Sequence, residues 1–326
     1  MRPAFRIIAD GTDATAAFAD RLVSIEVQDE TGETADTATI TLDDRDHRVA
    51  LPRVGARLEI ALGFDGALTQ LGTFAVEDLS GTLFPATLSL TASAADLRAA
   101  LKAPRTRAWE GLTLGEIART IAADHALTPR IAPDIAAEPV GYRAQTAESD
   151  MNFLTRLARE VDAIAKPAGG ALVLVRAGGG TDADGRTLSP VPIDASQMSE
   201  ADWRLDARGV YGRVTAEWTD RAAATTRRVT VGEAEPEQLL RARFQSEAEA
   251  NRAAARALDR ARRNGGTFTV RLAGFHANLF AGAPVALTGV KPELAGVWTL
   301  DRVTHRLSGA LTTEIVLKRA VEVTHD

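Results

Sequence analysis

The chain has 326 residues, of which 45% are hydrophobic and 25% charged, and its formal net charge is −6. This length leaves room for two or three domains of roughly 100–200 residues each, and the composition is that of a globular protein. The acidic balance gives no basic footprint for nucleic acid, and the lack of cysteine excludes disulfides, thiolate zinc sites and cysteine nucleophiles. The first residues show no signal-peptide pattern, and no apolar run reaches the roughly 20 residues that cross a bilayer.

The first 97 residues are dominated by alternating apolar and polar positions. This period of two occurs in residues 23–27, 38–42, 58–62 and 88–90, and it is typical of half-buried β-strands. Glycines between these runs indicate turns. Several short strands with turns between them predict a β-barrel or a β-sandwich in this part of the chain.

Helical signals begin after residue 97. Thr113 and Glu116 have the spacing of a capping box, in which two side chains satisfy free backbone amides at a helix start. A second helix is predicted to begin at Ser149 or Asp150, because apolar residues follow at helical spacing. Residues 172–175 predict a strand. This region is therefore predicted to be a small mixed α/β domain.

The rest of the chain returns to strand patterns, interrupted by one predicted helix at residues 246–263. One face of this helix is a stripe of alanine. Another face carries four arginines, Arg252, Arg256, Arg260 and Arg263. Such a row is either a solvated surface or a candidate subunit interface, for which the planar guanidinium is well suited. The sequence leaves these two interpretations open.

No segment carries a clear catalytic or metal-binding pattern. Asp182 and Asp184 stand in a glycine-rich loop that lacks the further ligands of a calcium site, so a turn is favoured. The histidines have no metal-binding spacing, and no serine stands in a nucleophile elbow. Glu148 and Asp150 resemble a carboxylate pair, but their place at a predicted helix start favours capping. We therefore expect no metal, no cofactor and no enzymatic activity.

The sequence contains an internal repeat. Residues 55–63 resemble residues 282–289, and further along each copy residues 71–79 resemble residues 295–303. A Ser-Gly step and another alternating strand follow in both copies. Two β-hairpins can look alike by chance, but the conserved order of elements predicts two related β-domains separated by a helical insertion. Three such chains around an axis would present six similar modules.

Residues 145–158 read Gln-Thr-Ala-Glu-Ser-Asp-Met-Asn-Phe-Leu-Thr-Arg-Leu-Ala. This segment resembles one found in the late control protein D family of contractile-tailed phages. The helix at residues 113–118 and the run at residues 282–318 are also similar to that family, so the resemblance covers most of the chain. Its members are baseplate hub proteins, related to the hub part of type VI secretion spike proteins. The matching motif positions are Gln145, Glu148, Ser149, Asp150, Phe153, Leu154, Arg156 and Leu157.

The resemblance implies a fold. The expected fold is mainly β with an α+β insertion, and it comprises two related tube-type β-barrel domains and a small mixed α/β domain. The barrels are predicted at residues 1–97 and 181–326, with the helix at 246–263 inside the second barrel domain. The small α/β domain is predicted at residues 98–180.

The resemblance also implies a role. It predicts a homotrimeric ring with pseudo-sixfold symmetry that joins the hexameric tail tube to a trimeric spike, which would be a separate polypeptide. Other baseplate proteins are further expected partners. DNA would pass the channel without a specific binding site, and no stable membrane insertion is expected. The predicted location is the virion tail baseplate, assembled in the cytoplasm of a bacterial host.

The two rival functions are a wall-degrading enzyme of the same particle and a stand-alone β-rich binding module. A wall-degrading enzyme of the same particle would need convergent titratable groups in a cleft, which the sequence does not indicate. A stand-alone β-rich binding module would depend on exposed aromatic residues, and only 5% of the chain is aromatic. Trp203, in a polar segment, is the tryptophan best placed to anchor an interface.

Overall fold

The computed structural model describes residues 2–31, 36–94, 101, 103–168, 170–178, 180, 182–184, 186–205, 211–263 and 265–319, apart from the side chains of 168, 262 and 263. The predicted domain boundary between residues 97 and 98 lies outside this part. Within it the chain is mainly β-structure with few helices, which confirms the predicted fold class. The strands lie in one large sheet and three smaller ones.

The helices, in chain order, are α1 (Thr15–Ala19), α2 (Leu114–Asp124), α3 (Pro133–Ala136), α4 (Asp150–Glu160) and α5 (Glu247–Arg263). The strands, in chain order, are β1 (Pro3–Ala9), β2 (Thr12–Asp13), β3 (Leu22–Glu30), β4 (Thr37–Asp43), β5 (Arg57–Phe64), β6 (Ala67–Leu83), β7 (Ala86–Ala94), β8 (Pro104–Thr113), β9 (Thr128–Ile131), β10 (Pro139–Ser149), β11 (Ala163–Ala168), β12 (Ala171–Arg176), β13 (Val191–Asp194), β14 (Met198–Leu205), β15 (Arg213–Asp220), β16 (Thr225–Gly232), β17 (Glu237–Phe244), β18 (Gly266–Leu272), β19 (Pro284–Thr288), β20 (Gly296–Ser308) and β21 (Ala310–Arg319).

Residues 3–94, the N-terminal unit, form one half of the large sheet. Its strands lie in the order β3-β4-β7-β6-β5-β1-β2. The apolar positions of the alternating pattern point to one side, and Ile25, Ile40 and Leu90 are buried together there. The alternation read from the sequence therefore corresponds to the core-facing side of a sheet.

Residues 191–205 and 266–319, the C-terminal unit, form the other half. Their strands lie in the order β14-β18-β21-β20, and β19 and β13 continue from β20. This half has its own core, in which Trp298 packs edge to face on Phe268 with ring centroids 5.6 Å apart. The two halves thus hold separate cores.

The two units share one strand arrangement. In the N-terminal unit, the hairpin β5–β6 continues into β7, which pairs with β4. In the C-terminal unit, the hairpin β19–β20 continues into β21, which pairs with β18. Every one of these pairings is antiparallel. The register also slips at matching places, between Val76 and Asp78 on β6 and between Leu300 and Arg302 on β20. The sequence repeat is therefore a repeat of topology and register.

One detail of the predicted repeat is wrong. Ser308 ends β20 and Gly309 makes the turn into β21, whereas Ser80 and Gly81 lie inside β6, which continues to Leu83. The two Ser-Gly steps are therefore not equivalent. The N-terminal hairpin turns later because β6 extends beyond them.

The two units join edge to edge. Strand β20 pairs in antiparallel direction with β3, with Arg302 opposite Glu30 and Leu307 opposite Ile25. One continuous sheet therefore runs through both units. This junction brings together residues that are far apart in the sequence.

Residues 104–176, the small unit, contain strands β8 to β12 and helices α2 to α4, packed around a third core. The predicted capping box of α2 is present: the Glu116 amide donates to Thr113 Oγ1 at 3.3 Å, and the Thr113 amide donates to Glu116 Oε2 at 2.8 Å. Ser149 caps α4, because its hydroxyl accepts from the Asn152 amide at 3.2 Å. Both predicted helix starts are confirmed.

Residues 213–263, the helix-capped sheet, form a fourth body. Helix α5 packs on the three-stranded sheet β16-β15-β17, with Ala250, Ala254 and Leu258 buried against Val214 and Ala216. The alanine stripe lets the helix lie close to the sheet. The region 181–326 thus contains two sheets with separate cores, and the helix predicted inside the barrel belongs to the smaller one.

Candidate functional site

The family motif lies at the junction of β10 and α4 in the small unit. The pairing of β10 with β8 slips between Gln145 and Glu148, and Ala147 within that slip has a φ of 47°. This bulge lets Gln145 point into the core before Asp150 enters the first turn of α4. Local irregularity therefore places two polar side chains inside the unit.

Asp150 is fully buried and is held from several sides. Its Oδ1 accepts from Gln145 Nε2 at 2.8 Å and from the guanidinium of Arg107, and its Oδ2 lies 2.8 Å from His125 Nε2. Burial by itself would raise the pKa of this carboxyl, but the hydrogen bonds from Gln145, His125 and Arg107 outweigh it and lower the pKa. A buried carboxylate with this many donors is stable as the charged form.

Gln145 connects this carboxylate to β8. Its Oε1 accepts from Arg107 Nε at 3.0 Å and from Trp109 Nε1 at 3.2 Å, and its Nε2 also donates to the Glu148 carbonyl at 2.9 Å. The amide is therefore fully used in holding β8, β10 and α4 together. We call Arg107, His125, Gln145 and Asp150 the buried polar network.

The remaining motif residues surround this network. Arg156 forms a bidentate ion pair with Glu148, with nitrogen–oxygen distances of 3.2 and 2.8 Å, and its guanidinium lies over the Phe153 ring. Phe153 stacks on Trp109 with centroids 5.9 Å apart. Leu154 and Leu157 are buried in the same core. The structure thus brings all eight motif residues into one cluster.

The network holds separate elements together, and its central carboxylate is not accessible to a substrate. The Asp150 side chain is closed from solvent, and each of its oxygens already accepts a hydrogen bond. A catalytic carboxylate must reach a reacting atom. The arrangement therefore favours a structural role for the carboxylate pair considered in the sequence.

Sequence reasoning missed the partners of Asp150 on other elements. Arg105, Arg107 and Trp109 alternate along β8, and Arg105 and Arg107 both reach Asp124 of α2, at 3.0 and 2.8 Å. The signal available in the sequence for these partners was the alternation of polar residues along a strand that lies beside a buried core. The strand pairing that brings them to Asp150 was not visible locally.

A second charged cluster joins three units. Lys166 of β11 donates to Asp29 Oδ1 of β3 at 2.7 Å, to the Glu30 carbonyl at 3.2 Å and to Asp36. The amide of Ala281 in the C-terminal unit donates to Asp29 Oδ2 at 2.8 Å. This cluster therefore connects the small unit to the junction of the two β-units.

The charged groups of this cluster shift the pKa values of one another. Burial and the neighbouring Asp29 carboxylate raise the pKa of Asp36 to about 6. Burial opposes ionisation of Asp29 as well, but the charge of Lys166 prevails and lowers the pKa of Asp29. Two carboxylates that share one ammonium cannot both ionise easily.

The arginine face of α5 turns largely toward the small unit of the same chain. Arg256 forms an ion pair with Glu138, and Arg260 Nη2 donates to the Arg159 carbonyl at 2.9 Å. Arg252 is exposed, while the side chain of Arg263 lies outside the described residues. Two of the four arginines therefore serve a contact within the chain, so the surface left for another subunit is smaller than the sequence indicated.

The aspartates of two polar loops, at residues 43–47 and 182–184, take part in hydrogen bonds within the protein. Asp182 Oδ1 accepts from the amides of Asp184 and Arg186 at 2.9 and 2.8 Å, which is the turn favoured from the sequence. Asp46 is held by Arg21 through two bonds of 2.6 and 2.7 Å. In the part of the chain that the structure describes, no group of three or more His, Asp or Glu could hold a metal ion, and no helix is long and apolar enough to span a bilayer.

Comparison with known proteins agrees with this structure. The sequence profile of the family described as phage tail baseplate hub (GPD) matches residues 36–310. A probable baseplate hub protein of Escherichia phage 186 is 30% identical, over 98% of this chain and 93% of that protein. These matches define the class of the protein as a structural component of a phage tail.

Solved structures share the fold. The 43 kDa tail protein of prophage MuSo2 from Shewanella oneidensis has a TM-score of 0.72 at 14% identity, covering 97% of this chain and 98% of that one. An Escherichia coli component of the type VI secretion system has a TM-score of 0.55 at 11% identity, covering 93% of this chain and 74% of that one. The chain belongs to the phage tail baseplate hub (GPD) family, and the family resemblance inferred from the motif is confirmed. It is a baseplate hub protein of the virion tail.

Proposed function

We propose that three copies of this chain form a ring with pseudo-sixfold symmetry that joins a hexameric tail tube to a separate trimeric spike. The observation that carries the proposal is the repeated strand arrangement of the two β-units, including the matching register slips on β6 and β20. Two similar units in each of three chains give six similar modules. Such a ring matches a sixfold partner on one side and a threefold partner on the other.

The proposed role is mechanical and not enzymatic. The buried polar network and the Lys166 cluster tie the units of one chain together, and a ring that transmits the force of a contracting tail needs rigid subunits. Their charged groups are engaged with each other, which supports a holding role over a catalytic one. The tail tube, the spike and other baseplate proteins are the proposed partners, with DNA passing through the channel.

Part of the arginine face of α5 remains a proposed contact with a neighbouring subunit. Arg252 is exposed at the start of this face. Arg256 and Arg260 would support the contact indirectly, because they fix α5 against the small unit. Arg263 belongs to the proposed contact by its place in the sequence of the same helix.

Electron cryo-microscopy of the purified chain, and of tail baseplates that contain it, tests the proposal. We expect a threefold ring around a pore, with six similar β-densities at one level. A chain that enters baseplates as a monomer, or a ring of another order, would contradict the trimer. Release of fragments from purified peptidoglycan by the same preparation would instead favour the wall-degrading alternative.

A further inference from the structure

On two edges of the large sheet, no second strand is paired among the described residues. β14 pairs along one edge with β18, and residues 78–83 of β6 pair along one edge with β7. Large apolar side chains lie exposed on them: Trp203 is 49% exposed, Leu205 40% and Leu83 69%. A strand edge with exposed apolar side chains is a template for another strand.

The cross-strand register shows which strands of the two units are equivalent. Val76 and Leu300 are the residues just before the matching slips. From each of them, the directly paired residues can be followed across three strand pairs of its unit. The last paired residue is Val27 of β3 in the N-terminal unit and Trp203 of β14 in the C-terminal unit. β14 therefore holds the place that β3 holds in the other unit.

The same alignment relates the other two edges. The residue five positions after Val76 is Gly81 on β6, and the residue five positions after Leu300 is His305 on β20. Within the chain, β3 and β20 are paired with Val27 opposite His305, and both side chains are buried. The two free edges are thus equivalent to two edges that are already joined inside each chain.

We propose that β14 of one chain pairs in antiparallel direction with residues 78–83 of β6 in the next chain. The register would place Trp203 opposite Gly81 and Leu205 opposite Leu79, as Val27 lies opposite His305 within the chain. This inference rests on the proposed ring and adds the strands that join its subunits. The occupant of each free edge is a second copy of this chain.

Side-chain size supports this register. The pair inside the chain consists of two side chains of moderate size, Val27 and His305, whereas the pair between chains would combine the largest side chain with glycine. The indole of Trp203 would cover the backbone of Gly81, a cross-strand arrangement that stabilises sheets. Pairing would also cover Leu83, which is otherwise largely exposed.

The contact is head to tail, because each chain offers one β14 and one β6 edge. Such a heterologous contact forms a closed ring when the rotation between subunits closes. In a trimer, three contacts between chains would alternate with the three β3–β20 contacts inside the chains. All six junctions around the ring would then be built in one way.

The natural lack of cysteine makes a disulfide test direct. Ser80 and Arg204 lie opposite each other in the proposed register, and opposed Cα atoms in a sheet lie within disulfide range. The variant carrying S80C and R204C is oxidised as purified chain and in assembled tails, then run on a non-reducing gel. We expect covalent dimers and trimers in at least about tenfold excess over those of S80C with D202C, a pair displaced by two residues.

A matched control exists inside the chain. Gln28 and Thr304 are the paired positions equivalent to Arg204 and Ser80, so Q28C with T304C should close a disulfide within one chain. Threefold rings that give no covalent oligomer, while this control closes, would overturn the strand pairing and leave the proposed ring standing. A chain that is monomeric both in solution and in baseplates would remove the ring and the pairing together.

Discussion

Asp150 illustrates why a buried charge can be retained at a family motif. A carboxylate without partners in an apolar core is strongly unfavourable, but here Gln145, Arg107 and His125 all contact it. The same contacts connect β8, β10, α2 and α4. The charge therefore specifies one arrangement of the small unit, and its removal leaves Arg107 with Asp124 as its remaining carboxylate partner.

We predict that Asp150→Asn lowers the free energy of unfolding of the small unit by about 3 kcal/mol, because one partner of a buried ion pair is lost. Urea unfolding followed by tryptophan fluorescence measures the change, since Trp109 lies in this core. The control is Asp184→Asn, whose exposed carboxylate lies 3.4 Å from Arg130, and it should cost less than about 0.5 kcal/mol. Equal effects of the two substitutions would contradict the role of Asp150 in holding the small unit together.

His305 gives the protein a specific acid sensitivity. Burial beside Phe275 lowers the pKa of His305 to about 4, although Asp29 acts in the opposite direction and His276 adds to the lowering. The unfolded chain therefore binds the proton first as the pH falls below about 6.5. Stability from the neutral imidazole is complete above that pH and is lost as the pH approaches 4.

We predict that His305→Asn flattens the pH dependence of stability between pH 6.5 and 4. The wild-type protein should lose on the order of 3 kcal/mol more than the variant across this window, at about 1.4 kcal/mol per pKa unit. Asp36 acts in the opposite sense below pH 6, because its raised pKa favours the protonated folded state, and it does so in both proteins. Parallel stability curves from urea unfolding at each pH would refute the assignment.

At the scale of elements, α5 serves two neighbours at once. Its alanine stripe packs on β15, while Arg256 and Arg260 reach the small unit. The helix therefore fixes the helix-capped sheet relative to the small unit. The ion pair of Arg256 with Glu138 is the contact best shielded from water, because both side chains are largely buried.

We predict a coupling free energy of about 1 kcal/mol between Arg256 and Glu138, measured by a double-mutant cycle with alanine at both positions. Replacing Arg252, one turn earlier on the same helix, together with Glu138 is the matched control and should show coupling below about 0.3 kcal/mol. Thermal unfolding of the four proteins in each cycle supplies the values. Similar coupling for both arginines would mean that the contact is a general charge effect.

At the scale of the whole molecule, one continuous sheet connects units that the sequence separates widely. Strand β20 completes the edge of β3, and Lys166 and Ala281 meet at Asp29 beside that junction. The two β-units are therefore held as one rigid pair. The proposed ring would add one further type of junction, at the edges of β14 and β6.

We predict that Trp203→Asp prevents trimer formation while the chain remains folded. The side chain is half exposed, so the free energy of unfolding should change by less than about 1 kcal/mol. Mass photometry of the purified chain, and incorporation into tails, report assembly. Tyr142→Asp, at an exposed position of the small unit, is the control and should assemble normally. Normal trimers from the Trp203 variant would exclude this edge from the interface.

The sequence by itself determined the local structure and the family. The alternation in residues 38–42, the cap at Thr113 and the cap at Ser149 are properties of short windows, so each could be recognised without knowledge of the fold. The repeat at residues 71–79 and 295–303 was visible because both strands meet the same packing environment. The motif at residues 145–158 is also a short window, so it pointed to the family without knowledge of the fold.

Only the tertiary structure decided which distant groups meet. The contacts of Asp150 with Arg107 and His125, of Lys166 with Asp29, and the pairing of β3 with β20 all join separate elements. Local periodicity shows that a side chain points inward, but the register of strand pairing decides what it then faces. The same register, compared between the two units, is what identifies the free edges of β14 and β6 as equivalent to a junction that the chain already contains.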